Sequence, residues 1–120
     1  MLKVKFKEFN KEHEVSIHKY KSAYDGSLCI YAVEDAEFEW LSQRERRVNI
    51  IPRSPLPEGY ICADWLNEQK LIQAMINEKL LEPTGVTSHE VYGKGQYAEF
   101  VDCPILKVSQ KLIDSWNLKE

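Results

Sequence analysis

The sequence contains no apolar run approaching the ~20 residues that cross a bilayer. Its opening, MLKVKFKEF, alternates polar and apolar residues and lacks the continuous apolar stretch of a secretory leader. A cytoplasmic location and no membrane partner are therefore expected. Cysteine is scarce and scattered: Cys29, Cys62 and Cys103 are odd in number and form no CxxC pair, which signals neither a disulfide framework nor a zinc site. Each sits among apolar residues, where a reduced cysteine behaves as a small buried hydrophobe. His13, His18 and His89 are the only histidines, and none stands at the spacing of a helical metal motif, so neither a metal nor a cofactor is expected. A nucleophile and base would have to come from His18 with Cys29 or His89 with Cys103 across neighbouring strands, and buried cysteine is the preferred reading. Gly93-Lys94-Gly95 lacks the spacing of a phosphate loop and is followed by no helix pattern, so it is a turn with at most a weak anion contact at Lys94. An excess of basic charge is also missing. With a net charge of −3 and a pI near 5.7, the chain lacks the footprint that duplex nucleic acid requires of a primary binder.

What is present describes a folded protein. At 120 residues, 43% hydrophobic and 29% charged, the chain has the size and composition of one globular domain spanning 1–120. The charge falls in blocks. Residues 1–22 carry six lysines against three glutamates, whereas residues 23–42 hold Asp25, Glu34, Asp35, Glu37 and Glu39 with no basic residue. Residues 43–53 then set Arg44, Arg46, Arg47 and Arg53 against Glu45 alone. Such alternation suits a protein partner, or a small anion held by local arginines.

The hydropathy pattern reads as strands interrupted by one clear helix. Val4 and Phe6 alternate with lysines, residues 10–13 read as a turn, and Val15 and Ile17 continue a second strand. Asp25-Gly26 marks a tight turn before the apolar strand 28–33, and residues 43–51 are again strand-like before the prolines at 52, 55 and 57 break regular structure. Trp65, Ile72, Ile76 and Leu80 recur at helical spacing from an N-cap at Asp64 or Asn67. Pro83 and Gly85 stop that helix. Strands near 86–92 and 97–103 flank a glycine-containing loop, and Val108, Leu112 and Trp116 predict a C-terminal helix from Lys107. The fold class is α+β: a twisted, mainly antiparallel sheet of five to seven strands, with one amphipathic helix packed on it and a short C-terminal helix.

The acidic run 34–39 is a solvated loop rather than an acid/base pair, since nothing separates the environments of its carboxylates. The suggestive constellation is Trp40 followed by Arg44, Arg46 and Arg47. On an extended strand Arg44 and Arg46 project to one side and Arg47 to the other, and arginine with tryptophan is the chemistry of binding hot spots. The competing interpretation is a strand whose arginines are salt-bridged within the chain. Tyr60, Tyr92 and Lys94 are secondary contact candidates, and a patch of Tyr92, Tyr97 and Trp116 would favour a homodimer.

The sequence LLEPTG, the Tyr-containing strand ending in Cys103-Pro-Ile-Leu106 and the opening VKFKEFNKEHEV resemble a domain-of-unknown-function family of small phage and mobile-element proteins from gut bacteria, over about residues 2–106. The resemblance implies an accessory protein that manages its host, including by blocking defence systems, and it implies no catalytic residue. The expected function is a non-catalytic binding protein that inhibits or sequesters a host protein. The alternatives are a homo-oligomeric sponge for an anionic nucleotide signal and a small enzyme of unrecognised type.

Overall fold

The computed structural model describes residues 2–22, 26–34 and 44–117. They form an α+β fold of two four-stranded antiparallel sheets and two helices. In β1 (Lys3–Glu8), Val4 and Phe6 are buried while Lys3, Lys5 and Lys7 face solvent, and Lys3 and Lys5 both approach Glu14 at 3.6 Å. β2 (Lys11–Lys21) pairs with β1 from Lys3↔Ser16 to Glu8↔Lys11. The turn between them is shorter than the sequence suggests. It consists of Phe9 and Asn10 alone, with φ of 52° and 62°, the double left-handed geometry whose twist matches that of the flanking strands. Phe9 is no turn former, which hid the true corner.

β3 (Leu28–Glu34) and β4 (Arg44–Arg47) complete the first sheet in the order β1-β2-β3-β4. Asp25 of the expected Asp25-Gly26 turn lies outside the described residues, and Gly26 has the left-handed φ of 72° expected of it. The strand expected over 43–51 is divided in two. Val48 donates its N–H to Ile30 O at 2.9 Å, in the first sheet, while its carbonyl accepts at 2.9 Å from the N–H of Asp64, the residue that follows a strand of the second. The chain thus changes partners at one residue and continues as β5 (Asn49–Ile50). Asn49 seals the change: its Oδ1 accepts from Ile30 N at 2.7 Å and its Nδ2 donates to Leu28 O at 2.8 Å, so a side-chain amide stands where a backbone peptide would otherwise pair.

The second sheet has the order β5-β6-β8-β7, with β6 (Tyr60–Ala63), β7 (Leu81–Tyr92) and β8 (Glu99–Val108). Between β6 and β7 runs α1 (Trp65–Asn77), capped by Asp64, whose Oδ1 accepts from Asn67 N at 3.4 Å. The expected strand 86–92 begins earlier, at Leu81. Pro83 is tolerated because β7 is an edge strand, and Gly85, at φ 80°, lies in an irregularity between Pro83 and Thr87. β8 runs on through Lys107, so the C-terminal helix starts later than expected, as α2 (Gln110–Asn117), with Ser109 Oγ accepting from Leu112 N.

Both helices share one core with the inner faces of the two sheets. Leu71, Ile72 and Met75 of α1 and Leu112 of α2 pack with Val15, Ile17 and Ile30 from the first sheet and Ile61, Leu81 and Leu106 from the second. A smaller cluster lies on the opposite face of the second sheet, where Cys62, Cys103 and Ile105 pack with Ile50, Tyr60 and Leu56 of the proline loop. Among the described residues no helix is long and apolar enough to cross a membrane.

Candidate functional site

The register of β4 decides the fate of each arginine. Arg46 stands opposite Ala32 and Arg47 opposite Tyr31, so alternation sends Arg46 inward and Arg47 outward. Arg46 is 6% exposed. Its Nε and Nη2 donate to Glu68 of α1 at 2.7 and 2.9 Å, and Nη2 also donates to Glu8 of β1 at 2.8 and 3.0 Å. Its guanidinium lies 5.0 Å from the centre of the Phe6 ring. Burial pulls its pKa down, but the hydrogen bonds and charges of Glu68 and Glu8 outweigh that and hold it above the ordinary arginine value. Arg46 is consequently a clamp between β4, β1 and α1. Beside it, His13 stacks on Phe6 at 5.2 Å and its Nδ1 hydrogen-bonds the carboxylate of Glu34.

Arg47 has the opposite character. It is exposed, and among the described residues it has no ion pair or hydrogen bond. It forms the wall between two hollows on the outer face. The smaller, about 230 Å³, is lined by Tyr20, Ile30, Tyr31, Glu45 and Arg47. The larger, about 370 Å³, is lined by Arg47, Ile50, Ile51, Arg53, Glu90, Val91 and Tyr92. Together they run along the seam where the chain passes from one sheet to the other. The aromatic side of the seam is preassembled: His18 stacks on Tyr31 at 5.3 Å, Tyr20 tilts against Tyr31 at 5.6 Å, and His18 Nε2 lies 2.9 Å from Ser16 Oγ.

The floor of the larger hollow is held from behind. Glu90, 4% exposed, accepts from Ser88 Oγ at 2.7 Å and from Arg53 N at 3.2 Å, which ties the proline loop to β7. Arg53 keeps an exposed guanidinium, 4.0 Å from Glu90 and within 3.4 Å of His89 O. Tyr92 Oη donates to Asp64 Oδ1 at 2.8 Å and sits 3.6 Å from Cys103 Sγ. Burial, followed by Cys103 and Asp64, pushes the Tyr92 phenol up. Burial and then the neighbouring Cys103 push the Cys62 thiol up to about 12. Both thiols are fully buried, and that of Cys62 keeps its proton at neutral pH.

The structure therefore brings together only part of the constellation expected from sequence. Arg47 and Tyr92 meet at the seam. Arg46 belongs to the interior, Trp40 lies outside the described residues, and for Arg44 only the backbone position in β4, opposite Glu34, is described. Tyr60 packs under the proline loop, and Lys94 is exposed beside the 3-10 turn Gly95–Tyr97. The patch proposed from Tyr92, Tyr97 and Trp116 does not form. Tyr92 faces Asp64, Tyr97 is 79% exposed at the hairpin end, and Trp116 donates its indole N–H to Ile17 O at 3.1 Å. His89 does not face Cys103 either, because it stands opposite Asp102 while Cys103 stands opposite Ser88, on the other face. Arg53, Tyr20 and Tyr31 were missed. Tyr31 had a usable signal, since alternation along β3 sets it outward among buried neighbours, whereas Arg53 reaches the seam only through the proline loop.

Among the described residues, no group of three or more histidine, cysteine, aspartate or glutamate side chains could hold a metal ion. Comparison of the chain with protein-family models, curated proteins and solved structures returns no match.

Proposed function

We propose that this chain is a non-catalytic binding protein that captures another protein through the seam on its outer face. The observation that carries this reading is Arg47: a solvent-facing guanidinium without a partner among the described residues, standing between two hollows lined by tyrosine and isoleucine. Arginine flanked by aromatic and aliphatic surface is the composition of protein-binding hot spots. The resemblance drawn from LLEPTG and the flanking segments directs the reading to a bacterial host protein in the cytoplasm, a defence component included.

The test is a paired affinity purification from gut-bacterial lysate with the wild type and with Arg47→Glu combined with Arg53→Glu. A protein retained by the wild type and lost with the variant, at an unchanged melting temperature, supports the seam. Retention of the same protein by both rejects it. Arg46→Glu is unsuited to this purpose, because it would place a third carboxylate beside Glu8 and Glu68.

The nucleotide sponge is favoured by one feature, the stacked His18–Tyr31 pair in register with Arg47. Against it, each hollow also carries a carboxylate, Glu45 in one and Glu90 in the other, which repels an anion but suits a partner of mixed charge. A nucleotide at one hundred times its dissociation constant would stabilise the fold by about 2.7 kcal/mol. Thermal melts with a nucleotide panel read this directly, and an unmoved melting temperature rejects the sponge.

A further inference from the structure

The hairpin of β7 and β8 outruns the sheet that carries it. β6 pairs with β8 only at Tyr60↔Lys107, Ile61↔Leu106 and Cys62↔Ile105, whereas β7 and β8 stay paired out to Thr87↔Pro104 and on to Tyr92↔Glu99. Among the described residues that outer stretch is a ladder of two strands, which by themselves are marginal in water. One face of it is backed by the proline loop and the cluster around Cys103, where Glu90 and Tyr92 are held. The other face carries Thr87, His89 and Val91 beside Pro104, Asp102 and Phe100. His89 stacks on Phe100 at 5.0 Å and bonds Asp102 at 2.7 Å, while Val91 and Phe100 stay 40% and 61% exposed. The stretch lacks a third strand, and the outer edge of β7 is where one fits.

The backbone of that edge is suited to pairing. Arg53 Nη2 donates to His89 O at 3.4 Å, so His89 turns its backbone away from β8, and alternation turns Thr87 and Val91 the same way. Edge strands are commonly guarded by lysine, proline or a bulge. β7 keeps its guards in its first half, at Pro83 and in the irregularity that ends at Thr87. From Thr87 to Tyr92 it has neither lysine nor proline, and its one carboxylate, Glu90, is buried and bonded to Ser88 and Arg53. We infer that Thr87–Tyr92 pairs antiparallel with the same segment of a second copy of this chain, about a two-fold axis at His89. The segment is its own complement only in that register. An axis at Ser88 would draw Gly85 and the irregular stretch into the ladder, and an axis at Glu90 would set two carboxylates opposite each other. The axis at His89 sets Ser88 opposite Glu90 and Val91 opposite Thr87, so the apolar row of Phe100 and Val91 continues onto Thr87 and Pro104 of the second copy. Both copies use the same edge, which joins two four-stranded sheets into one of eight and closes the assembly as a dimer rather than a growing fibre.

This inference goes beyond the seam reading and does not depend on Arg47, and it is tested on the purified chain alone. Sedimentation velocity over a concentration series should show a monomer–dimer equilibrium. Thr87 and Val91 are exposed, so both can be changed without touching the core. Thr87→Lys with Val91→Lys places lysine opposite lysine twice and should weaken the dimer by at least about tenfold. Thr87→Lys with Val91→Glu places lysine opposite glutamate twice and should recover it. Amide hydrogen exchange needs no substitution: the Thr87, His89 and Val91 amides should slow as rising concentration fills the dimer. The inference is overturned by a monomer at every concentration, by a dimer indifferent to the paired lysines or not recovered by lysine with glutamate, or by exchange at these three amides that ignores concentration. The lysate experiment is read separately. A chain that stays monomeric, yet loses a captured protein with Arg47→Glu and Arg53→Glu, removes this inference and leaves the seam reading standing, whereas a dimer that captures nothing does the reverse.

Discussion

Two residues of β4 that look alike in sequence are given opposite roles by alternation alone. Arg46 is enclosed by Glu68, Glu8 and the Phe6 ring, and removing one member of a buried ion cluster leaves the others uncompensated. Arg46→Met should destabilise the protein by about 3–5 kcal/mol, measured by urea unfolding. Arg46→Met with Glu68→Leu should be less destabilised than Arg46→Met alone, because one orphaned carboxylate is removed with its partner. If the double variant is the weaker, the triad is not the unit that the distances imply. Cys62 makes a prediction of another kind. Below the ordinary thiol value of 9.0 both folded and unfolded chains keep its proton. Above that value the unfolded chain releases the proton, while the folded chain keeps it until about 12. Unfolding then releases a proton, so stability contributed by this group is present below pH ~9 and is lost as pH rises toward about 12. Cys62→Ala should flatten the fall in stability across that window relative to the wild type, read as the slope of unfolding free energy against pH, which a change in packing alone would not alter.

At the scale of elements, the sequence is legible where periodicity and capping agree and obscure where tertiary pairing overrules local preference. The β1–β2 hairpin follows from lysines alternating with Val4 and Phe6, and α1 follows from its apolar spacing and from Asp64 as cap. β7 was only half legible, since Pro83 and Gly85 normally end regular structure. On the edge of a sheet neither residue must supply a ladder on both sides, so the strand passes through them with an irregularity. Lys107 and Val108 fit a helical pattern with Leu112, yet they belong to β8, where Val108 stands opposite Leu81 and Lys107 opposite Tyr60. The long-range pairing decides there, and no local signal announces it. The same limit governs the site. Arg47 was marked by its neighbours in sequence, whereas Arg53 and Glu90 are joined through a proline loop whose path cannot be read from composition.

Over the whole molecule, the seam exists because one strand serves two sheets. β4 pairs with β3, β5 pairs with β6, and Val48 bonds to both sides. The change of partner leaves Ile30 N–H and Leu28 C=O without a backbone mate beyond Val48, and the Asn49 amide supplies both bonds. Ile30 is fully buried, so water offers no substitute. Asn49→Ala should therefore lower stability by about 2–4 kcal/mol, the penalty of leaving a donor and an acceptor unpaired. Asn49→Asp should fare no better, because it keeps an acceptor for Ile30 but loses the donor to Leu28 and introduces a buried charge. Urea unfolding measures the loss, and amide hydrogen exchange locates it. In Asn49→Ala the Ile30 amide should exchange faster than the amides of the β1–β2 ladder, which the substitution leaves intact. Were Ile30 to stay as protected as that ladder, the two sheets would be held together by packing rather than by this amide, and Arg47 would owe its outward position to something other than the crossing at Val48.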